Sequence, residues 1–388
     1  MSWLLVTSLA ASAAATANGP RDYRELTYEA YLAEQSKAYA APAELKRRQA
    51  IFETNRLHAI RQNAAFLAGT QSWWMALNGM ADWSVDEFRS RRLGRNASMS
   101  SAMRSLAPAS SVPIANPKAV DWREKKVVTE PRDQGGCGSC WAFGATETIE
   151  SHAAIATGSL SELAVQAIVS CASNPKHCGG SGGCGGATAQ IGFDMVKEKG
   201  IPLERDYSYT AKTDRCHRYR PAVSVGGYVQ LPTNDASALE TALATAGPVA
   251  VSAAASCWML YGGGVYDGCT QGHCPVKSMA TEIDHVIQAV GYGIDDGNRG
   301  YWLIRNSWGT GWGEDGYIRL SRAADNKTFI DNRPKQGSAC EPYPKQAIIG
   351  GECGILFDSS YPTNVSAITE ADGTAEALVE LHEHTITE

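Results

Sequence analysis

Cysteine is missing from the first 136 residues of this 388-residue chain, and all 11 cysteines lie beyond that point. A cysteine-free leader and a cysteine-dense body are therefore separate modules, and so many cysteines argue against a reducing compartment. No apolar run after the N-terminus is long enough to cross a bilayer, so no membrane-spanning helix is expected. Strongly basic stretches are also lacking, which removes nucleic acid as an expected partner. Residues 98–116 have hardly a charge, and residues 364–388 have six acidic side chains but no Lys or Arg. The first reads as a linker and the second as a mobile acidic tail.

The N-terminal "MSWLLVTSLAASAAATA" has no basic residue ahead of its apolar run, yet it ends in small residues suited to cleavage. We read residues 1–17 as a signal peptide; a buried N-terminal helix is the alternative. The chain is then expected in the secretory pathway, in a lysosome- or vacuole-like compartment or outside the cell. Residues 18–113 carry 13 Lys+Arg against 9 Asp+Glu, so a basic segment precedes an acidic body. The length allows more than one folding unit.

Residues 24–68 repeat apolar side chains at helical spacing, and "WWMALNGMADWSVDEF" predicts a short strand and a turn running into another helix. After the linker, Ser139 is placed to cap a helix from Cys140 that stops at Gly158, and "SELAVQAIVSC" and "IGFDMVKEKG" predict two more helices. From about Pro248 the pattern turns to strands in "VAVSAA", "HVIQAVGYG", "YWLIRNSW" and "GYIRLSR". A helical lobe followed by a β lobe suggests a cleft between them.

The segment "QGGCGSCWAF" (134–143) puts two cysteines three apart. A zinc site needs about four ligands, and Cys171, Cys178, Cys184 and His177 follow, but disulfides outcompete zinc for such thiols in a secreted chain. A redox pair needs a βαβ context that these patterns do not supply. A nucleophile needs a cysteine at a helix start, a distant base and a group to orient the base. Of eight histidines, His58, His382 and His384 lie in the leader or tail, and His152 is far along the nucleophile's own helix. His177, His217 and His273 lie in loops, whereas His285 begins an apolar strand. Asn306, 21 residues later, closes the strand "YWLIR", where its carboxamide is suited to accept the imidazole N–H, and Trp308 to shield that bond. Taken alone, "NSWGTGWGEDGY" would as readily be turn chemistry with core tryptophans.

Together these residues resemble the papain-like cysteine proteases, closest to the cathepsin L type. Cys137, Gly138, Ser139, Cys140 and Trp141 match the family signature C-G-[SA]-C-[WY]. Gln134, Cys140, His285 and Asn306 appear in the family order, with the His and Asn 145 and 166 residues beyond the Cys. The leader resembles the family's inhibitory propeptide: Glu44, Arg48, Phe52, Asn55 and Asn63 fall in register with its helical motif, and Asn78 and Asp82 with a second one. Ala59 replaces an isoleucine, with Ile60 beside it, and Ala76 and Met80 replace a glycine and a phenylalanine. Coverage runs from about Leu26 to Pro362.

The resemblance implies an α+β, papain-like two-lobe fold, with a helical left lobe, a β-barrel-like right lobe and the active-site cleft between. Residues 18–113 would be the propeptide with its linker, 114–363 the peptidase domain and 364–388 the tail. By the same resemblance Cys140 is the nucleophile, His285 its base, Asn306 the orienting group and Gln134 an oxyanion donor. Gly185, Gly186, Thr188, Ala189, Ile283, Asp284, Trp308 and Asp358 border the substrate, with Asp358 at the floor of the pocket for the second residue before the cut. That acid implies acceptance of Arg there as well as Leu or Phe. Ala187 replaces a glycine whose backbone contacts substrate. Family pairings carry over as Cys137 with Cys184, Cys171 with Cys216 and Cys269 with Cys353, leaving Cys178, Cys257, Cys274 and Cys340 unassigned.

The expected function is a cysteine endopeptidase made as a self-inhibited zymogen, acting on polypeptides through a thioester, as a monomer and with no metal or other cofactor. A silent binding or storage relative and a peptide ligase on the same scaffold are the alternatives. The opposite charges of leader and body suggest a pH-sensitive latch, against which docking by Trp73, Trp74 and Trp83 is the competing mechanism. Asn96, Asn326 and Asn364 begin glycosylation triplets.

Overall fold

The computed structural model describes residues 19–93, 116–272, 274 and 281–368. The expected signal segment, Asn96, the expected linker apart from Asn116, His273 and the tail beyond residue 368 lie outside the described residues.

Two helices make the frame of the leader, α1 (Tyr28–Glu34) and α2 (Pro42–Leu67), where the apolar periodicity had run through both. They meet through Tyr28, Tyr31 and Phe52, the last stacked at 4.6 Å between ring centres on Tyr31. The residues in register with the propeptide motifs have physical tasks. Asn63 both donates to the carbonyl of Met75 (3.0 Å) and accepts its N–H (2.8 Å), clipping strand β1 (Trp73–Met75) to the helix. Buried Arg48 donates to the carbonyl of Asp82 and to Glu87, so α2 also holds the short helix α3 (Val85–Phe88). Ala59, at the isoleucine position, is fully buried, so a smaller side chain fills that place in the core.

After strand β2 (Val120–Asp121), the helical lobe is built on α4 (Cys140–Thr157), α5 (Val165–Cys171) and α6 (Ala189–Lys199). Helix α4 stops where expected, at Gly158 with φ +74°, but Ser139 does not cap it: the Ser139 hydroxyl turns to Tyr209 instead. The helix is buried over 15 of its 18 residues, so it packs on all sides and needs little help from a cap.

The second lobe is mostly sheet. Strands β3 (Val223–Ser224) and β4 (Gly227–Gln230) precede β5 (Val249–Ala253), β6 (Tyr261–Tyr266), β7 (His285–Ile294), β8 (Gly300–Arg305) and β9 (Tyr317–Ser321). The hairpin β10 (Thr328–Asp331) and β11 (Ala347–Gly350) follows, then β12 (Ser359–Thr363) and β13 (Ser366–Ala367). The main sheet runs β1-β6-β9-β8-β7-β5-β12-β4, with β2 on β7 and a separate β3–β13 pair. This ladder is open: among the described residues no pairing joins β1 to β4, so the expected barrel-like lobe is a sheet without closure. Helix α7 (Ala236–Thr245), capped by Asp235, lies just ahead of the stretch expected to be strands, and its buried Leu239, Ala242 and Leu243 serve its packing on β5 and β7.

The leader supplies β1 to the sheet edge, antiparallel to β6, and Trp74 lies over the glycines of that strand. A Cβ at Gly262 would stand 2.3 Å from the Trp74 ring, so the Gly262–Gly264 run is what admits the leader. The two lobes are tied beneath the cleft by buried Arg305 of β8, 3.3 Å from Glu147 of α4, and by Gln288 donating to the Glu147 carbonyl.

Candidate active site

Helix α4 and strand β7 meet at their N-terminal ends. Gly144, one turn after Cys140 on the same face, is so close to β7 that a Cβ there would stand 2.8 Å from Val286. Val286 is the residue after His285, and Cys140 and Val286 share one buried cluster. The close approach thus brings the first residue of the helix and the first residue of the strand to the same end of the interface. Cys140 is the one cysteine outside a disulfide, and it is buried.

The imidazole tautomer follows from the hydrogen bonds. Asn306 Oδ1 accepts the N–H of Ser307 at 2.8 Å, which fixes that atom as the oxygen. His285 Nε2 lies 2.8 Å from the same oxygen, so Nε2 must be the donor. That leaves Nδ1 as the nitrogen able to take or give a proton in the cleft. The Trp308 ring covers the pair, its centre 4.9 Å from the imidazole centre.

Ser307 also sets Gln134. Its carbonyl accepts the Gln134 N–H (2.9 Å) and its hydroxyl donates to Gln134 Oε1 (2.7 Å). The amide nitrogen of Gln134 then faces two carbonyls, of Cys137 at 2.9 Å and of Arg92 in the leader at 2.6 Å. One dipeptide, Asn306–Ser307, therefore orients both the histidine and the glutamine. Sequence reasoning passed over Ser307, although it stands beside Asn306 in "RNSW".

All ten remaining cysteines are paired. Cys137 joins Cys184, Cys171 joins Cys216 and Cys269 joins Cys353. The cysteines unassigned from sequence form Cys178–Cys340 and Cys257–Cys274. With the Gly138 N–H on the Cys184 carbonyl and the Trp141 indole on that of Gly183, the first disulfide pins the loop that carries Gln134 to the glycine-rich loop before α6. Cys269, Glu352 and Cys353 come together as a metal-like cluster, but both sulfurs are used in their own disulfide.

The residues expected to border the substrate are only partly convergent. Asp358 is buried, and its carboxylate accepts from Gln190 (2.8 Å), Ser252 (2.9 Å) and Gln230 (3.3 Å). Burial pushes its pKa up, and the Ser252 and Gln190 hydrogen bonds pull it back. Gln190 and Ser252 were not among the expected residues; Gln190 directly follows Ala189. Thr188 and Ala189 are buried at the start of α6. Ile283 sits instead in a small cluster with Ala347 and Ile349, against Phe357. The Asp284 side chain holds the N–H of Ala255 and the hydroxyl of Ser256. Gly185 and Gly186 accept the N–H groups of Ser181 and Gly182, closing the glycine-rich loop on itself.

The leader covers this site. Phe88 packs edge-on against Trp308 at 5.1 Å, and Leu93 is buried. Arg89 reaches Glu282 at 3.4 Å, and Arg92 pairs with Asp133. Trp83, expected as a docking residue, packs against the large core cluster that leader and body share and has the guanidinium of Arg91 over its ring at 4.9 Å.

Comparison with known proteins agrees with this arrangement. Residues 116–337 match the model of the papain family cysteine protease, and residues 28–88 that of the cathepsin propeptide inhibitor domain. Cathepsin L of Sarcophaga peregrina is 34% identical over 374 residues, covering 94% of this chain and 100% of that protein. A cathepsin L-like peptidase of Aedes aegypti is 34% identical over 353 residues, covering 88% and 99%. Among solved structures, digestive procathepsin L 3 of the Tenebrio molitor larval midgut superposes with a TM-score of 0.68 at 31% identity, over 86% of this chain and 97% of that one.

Proposed function

This chain belongs to the papain family of cysteine proteases and is a cathepsin L-type cysteine endopeptidase made as a self-inhibited zymogen; from that premise we propose that Cys140 is its nucleophile, His285 its acid and base, Asn306 the group that orients His285, and Gln134 an oxyanion donor. The observation that carries this assignment is the one cysteine outside a disulfide, at the first position of α4, on the helix face that meets β7 where His285 and Asn306 are hydrogen-bonded.

The helix N-terminus stabilises a thiolate by roughly 0.3–1 kcal/mol, and an adjacent imidazolium supplies the rest of the fall from the ordinary thiol pKa of about 8.5. The thiolate attacks the scissile carbonyl carbon, and the oxyanion takes the hydrogen bond of Gln134 Nε2 that the zymogen spends on Arg92. His285 gives its Nδ1 proton to the departing amine, leaving a thioester. It then takes a proton from water, whose attack releases the acid and restores the thiolate. Asn306 keeps the ring in the tautomer both steps need.

Residues 18–113 act as propeptide and linker and 114–363 as the peptidase, with the acidic tail outside it. Five disulfides fit an oxidising compartment of the secretory route, whether lysosome-like or extracellular. Asn326 and Asn364 are exposed and open to glycosylation. Substrates are polypeptides whose second residue before the cut meets Asp358, giving acceptance of Arg beside Leu or Phe.

Labelling with a thiol-directed epoxide after acid activation tests the assignment. Modification at about pH 5.5 is expected in the parent and absent in Cys140→Ser; labelling that survives this change would place the nucleophile elsewhere.

A further inference from the structure

Of the five disulfides, Cys178–Cys340 joins the two lobes, across a sequence separation of 162. Cys178 lies in the loop after α5, and Cys340 in the segment between β10 and β11. That segment, residues 332–346, leaves the β lobe at Asp331 and returns at Ala347, its base closed by Gln346 donating to Asn332 (2.7 Å). Its middle is fastened to the helical lobe. The Gly179 N–H donates to the Ala339 carbonyl (2.8 Å), the Glu341 N–H to the Lys176 carbonyl (2.7 Å), and the Tyr343 hydroxyl to the His177 carbonyl (3.1 Å).

The crossing point is beside the cleft. A Cβ at Gly179 would stand 2.9 Å from the backbone of Ala187 on one side and 3.0 Å from the Gly337 carbonyl on the other. Ala187 stands between Gly186 and Thr188, which the family resemblance places along the substrate. A cavity of ≈ 570 Å³ lies between the two, lined by Gly136, Gly138 and Gly185 from the nucleophile's side and by Lys335, Gln336 and Tyr343 from the segment. In the zymogen Ser90 of the propeptide also lines it.

We propose that residues 332–346 form a strap closing the end of the cleft that receives substrate N-terminal to the scissile bond, so that the enzyme favours bonds with a short N-terminal overhang. The inference rests on the function proposed above. A substrate lying in the groove runs between the lobes, and a covalent link from lobe to lobe at the groove's rim crosses that path. An extended chain advances about 3.3 Å per residue, so each residue beyond the cavity must turn aside or thread beneath the strap. The disulfide and three backbone-anchored hydrogen bonds hold the strap in place, where an untethered loop would yield.

Activated enzyme is assayed on peptides sharing one core around the cut and carrying N-terminal overhangs of increasing length. In the parent, kcat/KM is expected to fall by roughly tenfold or more once the overhang outgrows the cavity. In Cys178→Ser with Cys340→Ser that fall is expected to shrink to about twofold. A second variant, with Cys178→Ser and residues 335–344 replaced by a short Gly–Ser turn, serves if the first does not fold; epoxide titration counts competent sites in each. A parent rate that is flat or rising with overhang overturns the strap, as does a fall that persists in the variants. Absence of both hydrolysis and Cys140-dependent labelling on every peptide would instead overturn the protease assignment.

Discussion

The side-chain amide of Gln134 donates to the main-chain carbonyl of Arg92 at 2.6 Å, so the leader lays a carbonyl oxygen on the donor assigned to the substrate's oxyanion. Inhibition and catalysis then compete for one N–H. Gln134→Ala is expected to lower kcat by about 10² to 10³ with KM changed only a few-fold, and to weaken inhibition by propeptide added in trans. Steady-state kinetics with a small peptide and a propeptide titration check the two effects together.

Hydrophobic docking is expected to outweigh charge in holding the propeptide. Trp73 is buried and packs in a tilted arrangement on Tyr266 at 4.7 Å between ring centres, and truncating such a side chain costs about 3–5 kcal/mol. The ion pairs that join leader to body among the described residues are Arg89–Glu282, a long contact at 3.4 Å on a carboxylate that Arg333 also holds, and Arg92–Asp133, whose carboxylate is half exposed, so neither is expected to contribute more than about 1 kcal/mol. Trp73→Ala should therefore raise the propeptide inhibition constant at least about a hundredfold, and Arg89→Gln with Arg92→Gln no more than about thirtyfold. A larger effect from the arginine pair, with strong salt dependence, would restore the charge latch suggested by the sequence.

Selectivity at Asp358 should depend on pH with a definite sign. Burial raises its pKa, so the carboxyl is held protonated above its usual range and becomes an anion as the pH rises. The ratio of cleavage with Arg to cleavage with Leu as the second residue before the cut is expected to grow from acid to neutral pH in the parent and stay level in Asp358→Ala. Equal ratios and equal pH trends in the two proteins would remove Asp358 from the pocket.

Stability should be greatest in acid because of Glu352. This carboxyl is buried against the N–H of Cys269, and burial pushes its pKa up to about 7. An acid whose folded pKa exceeds its unfolded value binds its proton more tightly when folded, so its stabilising contribution is full below about pH 4.5 and fades as the pH rises towards 7. The full swing is about 3 kcal/mol. Glu352→Gln is expected to lessen the fall of Tm between pH 4.5 and 7.5, measured by calorimetry on the zymogen, the remaining fall belonging to Glu147, whose pKa burial also pushes up to about 7; an unchanged slope would count against the buried acid.

Much of the site was legible because its chemistry is local in sequence. The Cys at a helix start, the His opening an apolar strand and the Asn closing the next one each carry a signal in their own neighbourhood, and their spacing matches a known order. The leader's motif residues were legible in the same way, but their tasks were not: that Asn63 clips both polar groups of Met75 depends on where β1 lies. Ser307 and Gln190 carry no special pattern, and only contact reveals that one orients Gln134 and the other bonds Asp358.

The sequence by itself determined a cysteine-free leader ahead of a cysteine-dense body, the helical and strand-rich halves, candidate residues for the nucleophile and its partners by their match to a family order, and an even number of cysteines beside the candidate nucleophile. These follow from periodicity, composition and short motifs, which neighbouring residues alone can express. The tertiary structure decided what depends on distant segments meeting: the pairing of Cys178 with Cys340, the open ladder of the sheet, the imidazole tautomer, and the carbonyl of Arg92 on Gln134. Cysteine pairing shows the physical reason. Four unassigned thiols permit several connectivities, and only the packing of the segment between β10 and β11 against the loop after α5 selects the one that bridges the lobes.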